Sequence, residues 1–318
     1  MQLIRGEYNL RSEHQGCVAS IGNFDGVHLG HQAVFSALQE RSKALGVPTT
    51  IIIFEPQPME YFHSARTPAR LTRLREKLAA IGGCGMERVL LLEFGSHLAN
   101  MRADAFIDKV LVNGLAIKHL FVGDDFRFGK DRGGDFSLLQ QAGLRHGFRV
   151  EDMNTISHKE ARISSTRIRQ ALADGDFASA ESCLGRPYQI CGRVAHGNER
   201  GRTIGFPTLN VNLHRRVSPL QGVFAVKVNG LEEQALPGVA NVGTRPTVDG
   251  ESQQLLEVHV FDFDRQVYGE HVAVEFVERL RDEKKFDSFA DLQRQIQLDA
   301  ASARAIFGLP LPARRALP

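Results

Sequence analysis

Along the first half of the chain, short unbroken apolar runs alternate with longer stretches in which apolar residues recur every three or four positions. The runs CVASIG (17–22), TTIIIFEP (49–56), RVLLLEF (88–94), HLFVGDD (119–125) and FRVEDMN (148–154) read as strands. The stretches 31–46, 69–83, 102–114 and 135–147 between them read as helices. This alternation predicts a doubly wound parallel sheet of the α/β class, with helices on both faces. Ligands of such sheets bind beyond the carboxyl ends of the strands. After about residue 185 the rhythm changes. The runs YQICGRVAHG, FPTLNVN, GVFAVKVNG, LPGVANVGT, LEVHVFDFD and HVAVEFVERL are strand-like and are broken by Gly, Pro and Asn. They argue for an antiparallel barrel or sandwich. One amphipathic helix over 288–308 is expected to pack on it. The boundary falls in CLGRPY (183–188), which divides the chain into domains over 1–184 and 185–318.

Composition adds mainly exclusions. The 318 residues are 42% hydrophobic and 24% charged, enough for two globular cores. A net charge of +2 gives no argument for nucleic acid or a membrane surface and suits an anionic small substrate equally well. The four cysteines, Cys17, Cys84, Cys183 and Cys191, form no CxxC pair and no zinc-like spacing, and read as reduced, buried residues. The opening MQLIRGEYNL lacks the apolar core of a signal peptide, and no run is long enough to span a membrane. The expectation is a cytoplasmic protein.

The chemistry concentrates in a few stretches. GNFDGVHLGH lies between the first strand and the first helix, at the carboxyl edge of the predicted sheet. A helix N-terminus there offers free N–H groups to phosphate. Gly22, Gly26 and Gly30 let backbone and ligand approach closely. His28 and His31, three apart on a first helical turn, face the same way and can donate to phosphate oxygens as charge builds. Two surface histidines in a turn are the plain alternative.

HLGH fits the HxGH signature of the nucleotidyltransferase superfamily, and GNFDGVHLGHQ resembles its bacterial FAD synthetase version. RISSTRIR (162–169) is similar to the superfamily's ISSTxIR signature. The resemblance implies that Gly22, Phe24, Gly26, Gly30, Ser164, Ser165, Thr166, Arg167 and Arg169 bind ATP, with His28 and His31 catalytic. A Ser/Thr helix cap with solvated arginines is the plain reading of the second motif. FEPQPMEYF (54–62) resembles the FxPHPxxxF segment of FAD synthetases, with Gln57 where many members have His. VGDDFRFGKDRGGD (122–135) resembles their G-[DE]-[ND]-F-x-F-G stretch, with Asp125 where some carry Asn. Phe54, Phe62, Asp125 and Phe128 are thereby implied in flavin binding, against core packing for the rings.

The second half resembles the riboflavin kinases, which implies an antiparallel β-barrel with a packing helix. GRTIGFPTLNV (201–211) matches their GRxxGxPTxN pattern. Thr208 and Asn210, two apart on a strand, face one side and can hold Mg²⁺ or Mn²⁺ with ATP phosphates. Gly201, Arg202 and Gly205 are implied in ATP binding beside them. LLEVHVFDFDRQVYG (255–269) places Glu257 at the family's catalytic carboxylate, in an otherwise apolar strand. ERLRDEKKF (278–286) places Arg281, Glu283 and Phe286 at its flavin-side segment, with salt bridging as the plain alternative. Both signature sets occur in the order of the bacterial bifunctional riboflavin kinase/FMN adenylyltransferases. The resemblance implies phosphorylation of riboflavin to FMN, then adenylyl transfer from ATP to FMN, giving FAD and pyrophosphate. The expected partners are riboflavin, FMN and ATP, with no nucleic acid and no membrane, on a monomer or weak homo-oligomer. Another nucleotidyltransferase would explain His28 and His31 but not PTLN or Glu257. An aminoacyl-tRNA synthetase would need a lysine-rich loop and a basic surface. A flavin sensor with dead sites sits poorly with the intact motifs.

Overall fold

The parallel sheet carries six strands, one more than the apolar runs predict. β1 (Gln2–Arg5), β2 (Val18–Ile21), β3 (Thr49–Glu55), β4 (Arg88–Glu93), β5 (His119–Val122) and β6 (Arg149–Asp152) lie in the order β1-β4-β3-β2-β5-β6, all parallel. β1 escapes the pattern because it is a four-residue edge strand with only Ile4 buried. β2 and β3 are covered on both faces, which is why they read as unbroken apolar runs. Alternation sends Ile51 and Ile53 into one apolar layer with Phe24, Val27 and Phe35. It sends Ile52 and Phe54 into the other, with Phe106, Leu120 and Phe128.

The computed structural model describes residues 1–63, 67–153, 157–158, 161–196, 206–213, 215, 217–246 and 252–311. The chain forms two units, one of Met1–Pro68 with Thr72–Ser165, the other of Ala69–Leu71 with Thr166–Pro318. The helices of the first are α1 (Leu29–Leu45), α2 (Pro58–Phe62), α3 (Leu74–Gly83), α4 (Ser96–Ala99), α5 (Ala103–Phe106), which runs into a π-helical turn (Ile107–Val112), and α6 (Phe136–His146). The helix expected over 69–83 starts only at Leu74. Thr72 is used instead to hold a loop at Asp25 and Gly26, and 69–71 belongs to the second unit. A two-stranded ladder, β7 (Ser157–His158) with β8 (Ala161–Arg162), closes this half.

The second unit opens with α7 (Ser165–Asp174) and α8 (Phe177–Leu184). Six strands follow: β9 (Gln189–Ala195), β10 (Leu209–Asn212), β11 (Gly222–Asn229), β12 (Leu236–Pro246), β13 (Ser252–Val260) and β14 (His271–Arg281). They close antiparallel in the order β10-β13-β12-β11-β14-β9, so the barrel, not the sandwich, is realised. Closure gives every strand a neighbour on both sides. Helix α9 (Phe289–Ile306) packs outside, its Ala300 and Ala303 against Val223, Ala225 and Val239. The opposite faces, including Val226, Val242 and Val258, fill the interior. The change at 183–188 marks the first barrel strand, but the packing changes earlier. Phe177 of α8 lies 5.9 Å from the Phe224 ring and 6.3 Å from Phe276, and Arg279 donates to the Ala173 carbonyl of α7 (3.0 Å). Both helices therefore pack with the barrel.

Candidate active sites

The histidine loop leaves β2 at Gly22 and enters α1 at Leu29. Its path needs unusual backbone: Phe24 (φ 45°), Gly26 (φ 85°) and Val27 (φ 44°) are all left-handed. For a β-branched residue such as Val27 this is a strained conformation that must be held by its surroundings. The restraints are specific. Asp25 Oδ1 accepts from both the N–H and the hydroxyl of Thr72 (3.0 and 3.1 Å). The Gly26 N–H donates to Thr72 Oγ1 (3.0 Å), and Ser165 Oγ donates to the Asp25 carbonyl (2.9 Å).

His28 caps α1, with Nδ1 accepting from the His31 N–H at 3.3 Å. An accepting Nδ1 leaves the proton on Nε2, which makes that nitrogen a donor. The two imidazoles stack, centroids 3.6 Å apart and 17° from parallel, as the i, i+3 spacing predicts. Gly30 gives the stack room, since a Cβ there would stand 3.1 Å from the His28 ring. The edge of the Phe24 ring meets His31 at 5.1 Å. The His31 Nδ1 is enclosed and has no hydrogen-bond partner among the described residues. Burial, then the neighbouring His28 and Lys77, push His31 well below the ordinary imidazole range, so it is neutral near pH 7.

The other residues expected in this half separate from the loop. Phe54 and Phe128 belong to the opposite apolar layer from Phe24. Phe128 is buried, packed on Phe106 (5.7 Å) and stacked by Phe126 (5.4 Å). Phe62, 57% exposed, has a wall free for a ligand, and it clusters with Tyr61 and Phe94, neither of which the motif singled out. Phe94 lies after β4, far in sequence from 54–62, so only the fold brings it there. Buried Gln57 caps α2, its N–H donating to Glu60 Oε2 at 2.8 Å. Asp125 is exposed in the turn after β5. Ser164 and Ser165 belong to the first unit, while Thr166, Arg167 and Arg169 continue along α7 in the second, where Arg169 Nε donates to the Ala69 carbonyl.

In the second unit a cavity of about 520 Å³ opens on the outer face of the barrel, between β12, β13 and α9. It gathers five of the residues expected there: Thr208, Glu257, Arg281, Glu283 and Phe286. Asn210 stands directly opposite Glu257 in the β10–β13 ladder. The expectation of Glu257 in an apolar strand resolves by alternation: Leu256, Val258 and Val260 point inward, whereas Glu257 and His259 face the cavity. A smaller cavity, about 240 Å³, has walls that include Val194, Phe263 and Tyr268. Thr208 lines both cavities. Gly201, Arg202 and Gly205 lie outside the described residues.

Around the larger cavity the polar groups are ordered by the barrel and α9. The Asn210 Nδ2 donates to the Thr208 carbonyl (3.3 Å). Arg281 makes a two-pronged ion pair with Asp299 of α9 (Nε–Oδ1 2.9 Å, Nη2–Oδ2 2.7 Å), while its guanidinium lies 5.8 Å from the Phe286 centroid. Its charge is thus matched within the protein, and it ties β14 to α9. Glu283 Oε2 accepts from Gln221 Nε2 (3.0 Å), and a side chain at Gly243 would collide with Oε1. His259, which the sequence motif contains without assigning, pairs through Nδ1 with the Pro207 carbonyl (2.8 Å); burial lowers its pKa despite that bond. Among the described residues no group of three or more His, Cys, Asp or Glu side chains is placed to hold a metal.

The FAD synthetase family matches residues 10–167 and the riboflavin kinase family residues 184–307. A bifunctional riboflavin kinase/FMN adenylyltransferase of Escherichia coli (strain K12) is 52% identical over 98% of this chain and 100% of its own. One of Pseudomonas fluorescens, with the same name, is 51% identical over 96% and 98%. A crystal structure described as a macrolide-efflux protein from Streptococcus pneumoniae shares the fold with a TM-score of 0.77, at 31% identity over 96% of this chain and 99% of that one. Among the described residues of this chain no helix is long and apolar enough to cross a membrane.

Proposed function

The chain belongs to the bifunctional riboflavin kinase/FMN adenylyltransferase family, and on that premise we propose that it makes FAD in two ATP-dependent steps, each at one of the two sites described above. Phosphorylation is assigned to the domain over 185–318 and adenylylation to that over 1–184. The observation that carries the reading is Thr208, shared by a cavity large enough for a flavin and a smaller one beside it. A nucleotide in the smaller cavity and riboflavin in the larger would meet at Thr208, next to Glu257.

In the kinase step the 5′-hydroxyl oxygen of riboflavin forms a bond to the γ-phosphorus of ATP as the bond to the β-phosphate oxygen breaks. Glu257 takes the hydroxyl proton or orients it. Arg281, Glu283 and Phe286 wall the flavin side. Thr208 Oγ1 and Asn210 Oδ1 are hard oxygen donors of the kind Mg²⁺ or Mn²⁺ accepts, and two such donors suit an ion that arrives with phosphate and water ligands. That ion would neutralise charge on the phosphates. In the adenylyl step an FMN phosphate oxygen attacks the α-phosphorus of ATP and pyrophosphate leaves. The Nε2–H of His28 and the imidazole of His31 donate to phosphate oxygens as charge develops. Gly22, Phe24, Gly26 and Gly30 shape the loop for close approach. Ser164, Ser165, Thr166, Arg167 and Arg169 supply donors for the remaining phosphates. Phe62, with Phe54, Asp125 and Phe128, is assigned to the flavin side. No protein nucleophile is needed, because both steps depend on positioning and charge stabilisation.

Incubating the protein with riboflavin, ATP and Mg²⁺ and separating the flavins by chromatography tests the reading. FMN and FAD are the expected products. Unchanged riboflavin from a folded sample that still binds flavin would replace it with a binding function.

A further inference from the structure

Glu257 is one member of a row. The ladder sets Asn210 opposite it on β10 and Asn241 opposite it on β12. Directly opposed Cβ atoms in such pairs lie about 5 Å apart on one face. Asn210 is engaged locally, through the Thr208 carbonyl. Asn241 lines the same cavity as Glu257, and its amide has no hydrogen-bond partner among the described residues. Gly243 leaves room beside it that the Glu283 carboxylate enters: a Cβ there would collide with Glu283 Oε1 and stand 3.2 Å from the Asn241 Nδ2.

The cavity has two kinds of wall, a polar one that includes Asn241, Thr244, Glu257 and Glu283 and an apolar one. Phe286, Phe289, Leu292 and Ile296 offer the flat apolar contact that an isoalloxazine ring needs. A ribityl chain needs partners that both donate and accept, and a carboxamide has two donors and one acceptor. We propose that Asn241 is a specificity-determining residue of the kinase reaction. Its carboxamide binds ribityl hydroxyls short of the chain end and so sets the terminal 5′-hydroxyl against Glu257, one strand away. A flexible polyol otherwise spreads its terminal hydroxyl over many rotamers, and anchoring an interior hydroxyl removes most of them. The proposal rests on the reading that this cavity holds riboflavin with its 5′-hydroxyl at Glu257.

The test is a substrate–variant cycle on the full-length enzyme. Riboflavin is compared with a flavin bearing an unbranched ω-hydroxypentyl chain, which keeps the terminal hydroxyl and lacks the interior ones. For wild type, N241A and N241S, kinase kcat/KM, flavin binding by fluorescence quenching, and thermal stability are measured. N241A is expected to lose about ten- to a hundredfold in kcat/KM and affinity for riboflavin, with little change for the hydroxypentyl flavin. N241S, which keeps a small polar group, is expected to fall between. Equal losses for both flavins, or no loss for riboflavin, would overturn the proposal. Full riboflavin phosphorylation by E257Q would instead show that the flavin does not sit in this cavity, overturning the reading beneath it.

Discussion

In the first unit the two histidines come from one loop, Gly22–His31, whose shape is imposed at short range by left-handed residues, a helix cap and the Thr72 clasp on Asp25 and Gly26. In the second unit Thr208, Asn241, Glu257 and Arg281 come from four separate segments of the barrel and meet only through the ladder. Both arrangements hold side chains still, by different means. The loop stores strain and is held by a few hydrogen bonds, so a single methyl can disturb it. The cavity is held by register, and a one-residue slip would turn Glu257 into the barrel interior. The lesson is that a phosphate-handling site can be made rigid either by local backbone constraint or by cross-strand pairing, and the two are vulnerable to different substitutions.

The sharpest way to break this comparison is E257Q. Gln keeps the shape but takes no proton, so riboflavin phosphorylation should fall by about 10²–10⁴-fold. Conversion of supplied FMN to FAD should continue at the wild-type rate, with an unchanged melting temperature. A parallel fall of both activities would show that the two regions do not divide the chemistry. Phe177→Ala probes the extent of the second region. Removing a ring packed on Phe224 and Phe276 should lower its unfolding free energy by about 3–5 kcal/mol. A fragment beginning at 166 should accordingly melt higher than one beginning at 186. Equal melting would place α8 outside the folding unit.

In the histidine loop, His28→Ala removes a donor and should cost adenylylation roughly 10²-fold or more, so that FMN accumulates while the kinase half-reaction persists. Gly30→Ala keeps both imidazoles and crowds the His28 ring, and should reproduce part of that loss; full activity would mean the stack can relax. The smallest effect expected is a pH dependence. His31 sits below its ordinary value of 6.5 in the folded protein, so the unfolded chain takes up the proton first. Its contribution is intact above about pH 6.5 and is lost as pH falls below it, by at most about 1.4 kcal/mol per pH unit. Melting curves of wild type and H31Q from pH 7.5 to 5.5 should show a shallower acid loss in the variant. Identical slopes would mean that the buried imidazole does not titrate in this way.

Legibility followed the same division. His28, His31 and Gly30 could be read directly, because i, i+3 spacing on a first helical turn has one geometric outcome. Phe62 could be read as an aromatic wall, but Phe94, which completes it, could not. Thr208 and Glu257 stood out through the kinase resemblance, whereas Asn241, in the plain-looking run LPGVANVGT, became visible only once β12 was paired with β13. Arg281 had two readings in sequence, and the Asp299 pair shows the structural one operating, with its side chain still at the cavity wall.

What the sequence determined by itself was local: apolar runs for buried strands, 3.6-residue spacing for helices, and the change of rhythm that separates a parallel sheet from antiparallel strands. These follow from short-range sterics and from each element's need to bury one face or two. Tertiary structure alone decided the closure of the barrel and the edge strand β1. It also assigned α7, α8 and residues 69–71 to the second unit, and set Asn241 beside Glu257. Each depends on which distant segments pair, and in what register, and no window of sequence contains that free energy, because the contacts that supply it join residues far apart along the chain.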